Sequence, residues 1–144
     1  MYYLGIDTTN KYLIVSIFSD DDVLYFYQHQ SDRNVSENAN VIIDEAVKEV
    51  GLKPSDLSAV VVTRGPGSFT GVRIGLSIAK VLTTILEIPL YSLSSMQYYS
   101  GNSSIPVILD ARSKKVYYGV YDKGEIISEA MILLEDLPSL TKIK

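Results

Sequence analysis

Two aspartates at the ends of short apolar runs and one glycine-rich loop are the residues whose types and spacing could do chemistry. Asp7 stands in Gly-Ile-Asp-Thr-Thr and Asp110 in Ile-Leu-Asp-Ala-Arg, and each closes a predicted strand. Carboxylates at strand ends in α/β folds often meet ligands or magnesium. With Thr8 and Thr9 beside it, Asp7 could coordinate a hydrated cation; a carboxylate capping its own turn explains the same residues at least as well. The loop is Arg64–Leu76, Arg-Gly-Pro-Gly-Ser-Phe-Thr-Gly-Val-Arg-Ile-Gly-Leu, between a continuous apolar strand and a helix. There, exposed N–H groups meet the positive end of a helix dipole, the general geometry of an anion site. The anion or nucleotide candidates are Asp7, Thr8, Thr9, Gly65, Gly67, Ser68 and Thr70.

The spacing fails two nucleotide fingerprints. Walker A needs Gly-Lys five positions after a glycine, and no glycine here is followed so. The dinucleotide pattern needs glycine at position 70, where Thr70 stands. A second reading of the segment concerns packing. Gly71, Gly75 and Ala79 recur every four residues and share one helix face. Glycine inside a helix costs about 1 kcal/mol against alanine, so two on one face need a reason. A small-residue face admits a close neighbour, either the chain's own first helix or another subunit. The stripe Ile74, Ile78, Val81 and Ile85 is then left to hold the helix on its own sheet.

Other chemistry is thin. With no cysteine and a single histidine, His29, the chain offers no thiolate site, no histidine pair for a metal and no recognisable nucleophile–base pair. No catalytic or metal-binding residue is therefore named. Asp20–Asp22 lacks the spacing of a calcium loop and reads as a hairpin turn. Tyr117 and Tyr121 fall on one face of a strand by alternation, as packing or a partner surface.

Three strand-like segments, Tyr2–Ile6, Tyr12–Phe18 and Val23–Gln30, form an antiparallel meander. Asn34 with Glu37 reads as a capping box opening a helix whose apolar stripe runs from Val35 to Val50, with Gly51 as its stop. Ala59–Thr63 is a buried strand; a second helix runs from Phe69 or Thr70 to Leu86, and Leu90–Leu93 is another strand. After the polar Ser100–Ser104 the pattern restarts with Val107–Asp110, Val116–Tyr121 and Glu125–Leu134. The order βββαβαβ followed by a partial copy predicts an α/β chain with a full lobe at 1–100 and a truncated second lobe at 101–144.

At 144 residues the chain can bury roughly two-thirds of its unfolded surface. Its apolar runs are only a few residues long and its start lacks the basic n-region of a signal peptide, so a cytoplasmic protein without a membrane span is expected. The balance of 13 basic and 17 acidic residues, with Lys114-Lys115 the one adjacent basic pair, predicts poor nucleic-acid binding by the chain alone.

Taken together these segments resemble the TsaB (YeaZ) family, bacterial proteins required for making threonylcarbamoyladenosine in tRNA. The resemblance rests on Gly65-Pro-Gly-Ser-Phe-Thr-Gly-Val-Arg-Ile-Gly-Leu, with support from Gly5-Ile-Asp-Thr-Thr, Ile88-Pro-Leu-Tyr-Ser-Leu-Ser-Ser, Leu109-Asp-Ala-Arg and Val116-Tyr-Tyr-Gly-Val-Tyr. It implies an actin-like ATPase (ASKHA, ribonuclease H-like) fold with one complete βββαβα lobe. It also implies a non-catalytic accessory subunit that binds and activates a TsaD-like transferase. A TsaE-like ATPase would be a further partner, a homodimer would use the same face, and tRNA would be met only through the complex. By the same resemblance the docking face lies on the two first-lobe helices, which gives Val35, Ala39, Ile42, Gly71, Gly75, Ile78, Ala79 and Leu82. No intrinsic cofactor is expected; ATP or ADP with magnesium would sit at an interface shared with the partner. The alternative is a nucleotide-binding ATPase-like enzyme using Gly65–Gly71. Many family members carry a His-Ser pair early in the first helix, where this chain has Val35-Ser36.

Overall fold

The computed structural model describes residues 1–30 and 34–138. Its contacts divide the chain into two compact units, Met1–Ser95 and Met96 onward. In the first, β1 (Tyr2–Asp7), β2 (Tyr12–Ser19) and β3 (Val23–Gln30) form the predicted antiparallel meander, with Ile6 opposite Val15 and Val15 opposite Tyr27. Two crossovers follow. After α1 (Val35–Glu49), β4 (Ala59–Thr63) pairs parallel with β1; after α2 (Phe69–Leu86), β5 (Leu90–Leu93) pairs parallel with β4. The sheet order is β3-β2-β1-β4-β5. Leu4, Ile6, Val15, Ile17, Val60 and Val62 form a core with Ala39, Ile43, Ala46 and Val47 of α1 and Ile78 and Ala79 of α2. Burial of such side chains is worth roughly 1.5–3 kcal/mol each for the larger ones, and it fixes both helices on the sheet.

The caps follow sequence only in part. Gly51, at φ +72, ends α1 as expected: its N–H meets the Lys48 carbonyl at 3.0 Å and Leu52 N meets the Val47 carbonyl at 3.0 Å. The capping box at Asn34 is not made. Asn34 sits at φ −107, ψ 31, away from the extended conformation that aims a cap side chain at the first turn. Its carbonyl instead accepts from Asn38 N at 2.9 Å. Ser68 caps α2, its Oγ accepting from Gly71 N at 3.2 Å. At the far edge, Asp20 accepts from the Met1 ammonium at 2.8 Å and from the Tyr3 hydroxyl at 2.9 Å, and in that order the two bonds hold its carboxyl below the usual range.

α2 lies on the sheet rotated from the sequence expectation, which only Ile74 and Ile78 of the predicted stripe meet. Gly71, Gly75 and Ala79 are buried with Ile78 and Thr83, whereas Val81 and Ile85 are 57% and 72% exposed. The reason is a close backbone approach. A Cβ on Gly71 would stand 2.0 Å from the Thr8 carbonyl oxygen, and one on Gly75 would stand 2.5 Å from Thr8 Oγ1. The small residues therefore face the chain's own first strand; of the expected apolar stripe, Ile78 is buried and Ile74 packs on the core, while Val81 and Ile85 face outward. By length and composition this helix would also pass for a membrane span, at a mean hydropathy of 1.4. Its glycine side on the sheet and Arg73 and Lys80 among its exposed residues make it a layer helix.

The second unit repeats the meander: β6 (Val107–Asp110), β7 (Lys115–Asp122) and β8 (Glu125–Leu133) are antiparallel in the order β6-β7-β8. The repeat extends to detail, since Asp110 Oδ1 accepts from Arg112 N at 2.7 Å as Asp7 Oδ1 accepts from Thr9 N at 2.8 Å. The β6–β7 turn runs through three consecutive left-handed residues, Arg112, Ser113 and Lys114, at φ +62, +52 and +60. None is glycine, and each such residue costs about 1 kcal/mol or more. A register shift at Val120/Tyr121 accompanies the burial of Tyr121, whose hydroxyl donates to Glu129 Oε1 at 2.5 Å. Between the meanders, α3 (Ser95–Ser100) is an element the sequence reading missed, and the contact boundary falls at its start rather than at residue 100. Gln97 Nε2 donating to the Gly124 carbonyl at 3.1 Å shows why α3 groups with the second unit.

Gly71→Ala should lower stability by about 2–4 kcal/mol despite alanine's better helix propensity, because its methyl collides with backbone. Chemical denaturation checks it; a midpoint equal to or above that of the unaltered chain would contradict the close approach.

Candidate functional site

The residues singled out from sequence meet at the carboxyl ends of β1, β4 and β5. Asp7 is buried, and its Oδ1 accepts from Thr9 N at 2.8 Å, Thr9 Oγ1 at 2.6 Å and Thr63 Oγ1 at 2.6 Å. Thr9 Oγ1 lies 2.8 Å from Ser95 Oγ. Thr8 Oγ1 donates to the Gly71 carbonyl at 2.6 Å. The glycine loop is tied to the same strand end, with Ser68 N donating to the Thr9 carbonyl at 2.6 Å. A Cβ on Gly67 would meet that carbonyl oxygen at 2.2 Å. The Gly65 carbonyl accepts from Ser95 N at 2.8 Å, and Arg64 N donates to the Leu93 carbonyl at 2.9 Å.

Asp7, Thr8, Thr9, Gly65, Gly67 and Ser68 thus come together as the sequence suggested, and Thr70 is exposed on the first turn of α2. Thr63 and Ser95 belong to the same cluster and were not foreseen. Thr63 ends an apolar strand, a signal that was available; Ser95 sits in a serine pair that carried none. The chemistry open to this cluster is limited. The N–H of Ser68 meets Thr9 O and ties the loop to the strand, while those of Gly71 and Val72 meet Ser68 Oγ and Ser68 O in the first turn of α2. Three short donors on one carboxylate oxygen make Asp7 the hub of a buried hydroxyl network. Asp110 is exposed and bonds to its own turn. Among the described residues no group of three His, Cys, Asp or Glu side chains could hold a metal ion.

The outward surface of α1 and α2 has a different character. Of the contact residues expected from the resemblance, Ala39, Gly71, Gly75, Ile78 and Ala79 are buried in the chain's own fold. That corrects the expectation of an exposed small-residue face: the β1 backbone already occupies the close-approach position. Val35, Ile42 and Leu82 are half-buried. The apolar groups that remain outward are Phe69 at 76% exposure, Val41, Val81 and Ile85. A groove of about 380 Å³ lies at the Phe69 end of α2, lined by Ser36, Phe69, Thr70, Arg73, Ile74, Ser77 and Ile78. The Arg73 guanidinium lies 5.4 Å over the Phe69 ring. Exposed charge on α1 is mainly acidic, at Glu37, Asp44, Glu45 and Glu49, and on α2 it is basic, at Arg73 and Lys80. Burial, followed by the charges of Glu49 and Glu45, raises the Tyr25 phenol above its ordinary range.

With this geometry in hand, the chain can be set beside known proteins. Residues 28–141 match the family model described as TsaD, tRNA N6-adenosine threonylcarbamoyltransferase. The tRNA threonylcarbamoyladenosine biosynthesis protein TsaB of Bacillus subtilis is 33% identical over 154 residues, covering 100% of this chain and 67% of that protein. The chain belongs to the TsaB family. The Escherichia coli TsaB protein is 29% identical over 132 residues, covering 87% of this chain and 57% of its own length. This chain thus spans about two-thirds of the first TsaB relative and less of the second. YeaZ from Pseudomonas aeruginosa superposes with a TM-score of 0.84 at 23% identity, over 98% of this chain and 71% of that one. The TsaB fold is the actin-like α/β fold expected from the sequence, with one complete βββαβα lobe and the opening meander of a second.

Asp7→Ala should remove about 3 kcal/mol of stability by stranding buried hydroxyls, lowering Tm by roughly 10 °C. Titration of the unaltered chain with magnesium-ATP should give no saturable heat. An unshifted Tm, or tight nucleotide binding, would return Asp7 to a ligand-binding role.

Proposed function

We propose that this chain is a non-catalytic accessory subunit for threonylcarbamoyladenosine formation in tRNA, and that it works in the cytoplasm by docking on a TsaD-like transferase. The observation that carries the reading is the rotation of α2: its small residues are turned inward while Phe69, Val81 and Ile85 are left exposed. Val81 and Ile85, four residues apart, share one exposed strip of α2, and exposed apolar side chains of this kind mark a surface that a partner covers. The names of the TsaB relatives support the process, and this chain's match to the TsaD family model supports a partner of related fold. Two helices presented by one fold, meeting two helices of a related one, make a natural four-helix contact. Acidic α1 and basic α2 would fix its orientation through charge. A catalytic reading finds less support, because Asp7 and the loop amides serve the fold.

The test is co-purification of the chain with a TsaD-like subunit, followed by titration. Ile85→Glu and Val81→Glu should each weaken that complex at least tenfold and leave Tm within about 1–2 °C, since both side chains are exposed. Full affinity in both variants would remove the α1–α2 face from the interface. Threonylcarbamoyl transfer by the chain alone would contradict the accessory role.

A further inference from the structure

The β6–β7 turn of the second unit is a tight reversal whose residues carry side chains rather than glycine. Arg112, Ser113 and Lys114 all take left-handed conformations that glycine or asparagine would adopt more readily. The conformation is held from several sides. Asp110 Oδ1 fixes Arg112 N at 2.7 Å, Lys115 N meets the Arg112 carbonyl at 2.9 Å, and Leu134 N meets the Lys114 carbonyl at 2.8 Å. These bonds hold the turn, and with it the side chains it presents, in one conformation. The side chains presented are Arg112, Lys114 and Lys115, all exposed. Among the described residues none of these cations is in an ion pair, although Glu135 and Asp136 follow Leu134 closely in the chain. The turn therefore gathers three uncommitted cations in four residues of a chain whose net charge is −4.

We propose that this turn is a contact for the phosphate backbone of RNA, one of a few in the assembled complex. The proposal rests on the reading above for the identity of the RNA, but not for its chemistry. Three cations neutralising phosphates contribute to affinity in a sequence-independent and salt-dependent way. Such a patch is too small to give the chain strong binding by itself, which agrees with its acidic balance.

The test uses the full chain labelled with nitrogen-15 and titrated with a tRNA anticodon stem-loop in low salt. Amide shifts confined to residues 110–115 and their strand neighbours are expected, reversed by added salt. A second arm measures anisotropy of labelled tRNA with the chain plus the TsaD-like subunit. Arg112→Ala/Lys114→Ala/Lys115→Ala should weaken binding about tenfold and lower the slope of log K against log salt by roughly 2. Ser113→Gly keeps every charge and relaxes one strained residue; it should raise Tm slightly with RNA affinity unchanged. Absent shifts at the turn, or an unchanged salt slope in the triple variant, would overturn the proposal. Shifts with heparin but none with RNA would overturn it too. If the two proteins fail to associate, the docking reading falls, while the stem-loop titration still decides the RNA contact.

Discussion

The close approach of α2 to the end of β1 governs the first unit. Gly71 and Gly75 leave room for Thr8, whose hydroxyl donates to the Gly71 carbonyl and whose own carbonyl lies where a Gly71 side chain would be. Everything near the strand ends depends on that contact. It brings Ser68 N to the Thr9 carbonyl and closes the loop over the Asp7 network. It also rotates α2 so that Gly71, Gly75 and Ala79 face the sheet and Val81 and Ile85 face away. A contact between two backbones thus determines which side chains of the helix are offered to solvent.

The same contact engages part of a loop that has the look of an anion cradle. A helix N-terminus attracts anions because its first N–H groups lack partners. Here Ser68 supplies the cap, and the loop amides of Ser68, Gly71 and Val72 are directed at protein oxygens. Asp7 is engaged in the same fashion by Thr9 and Thr63. Asp7, Thr9 and Ser68 thereby tie the loop to the strand end. The outer face of α2, where Val81 and Ile85 are exposed, is the surface that the proposed docking uses.

Most of the architecture was legible in the residues. The β-branched alternation of β2, the continuous run Ala59–Thr63, the Gly51 stop and the recurrence of an aspartate at two strand ends gave elements whose bounds agree within a residue or so. What sequence could not give was direction. Periodicity identifies the faces of α2 but not how it is rotated on the sheet: Ile78 faces inward as usual, but backbone at Thr8 takes the place beside Gly71 and Gly75, and Val81 and Ile85 are turned out. Asn34 shows a related limit, since a residue of the right type makes no side-chain cap when its backbone is not extended. Ser95 joined the Asp7 network unannounced because α3, short and polar, has no apolar period to reveal it. The clustering of Asp7, Thr8, Thr9 and the loop was foreseen; its closure by internal hydrogen bonds required coordinates.

The central claim is that the chain meets its partner through the outward side of α2, with the loop and the Gly71–Ala79 side kept inside. Methyl-labelled NMR of the isoleucine, leucine and valine side chains, recorded with and without a TsaD-like transferase subunit, tests it most directly. The account expects shifts or broadening at Ile74, Val81 and Ile85 and unchanged signals at Ile6 and Val62, which lie on the sheet beneath. Perturbation at Ile6 and Val62 with Val81 and Ile85 unmoved would contradict it, as would a spectrum the partner leaves untouched.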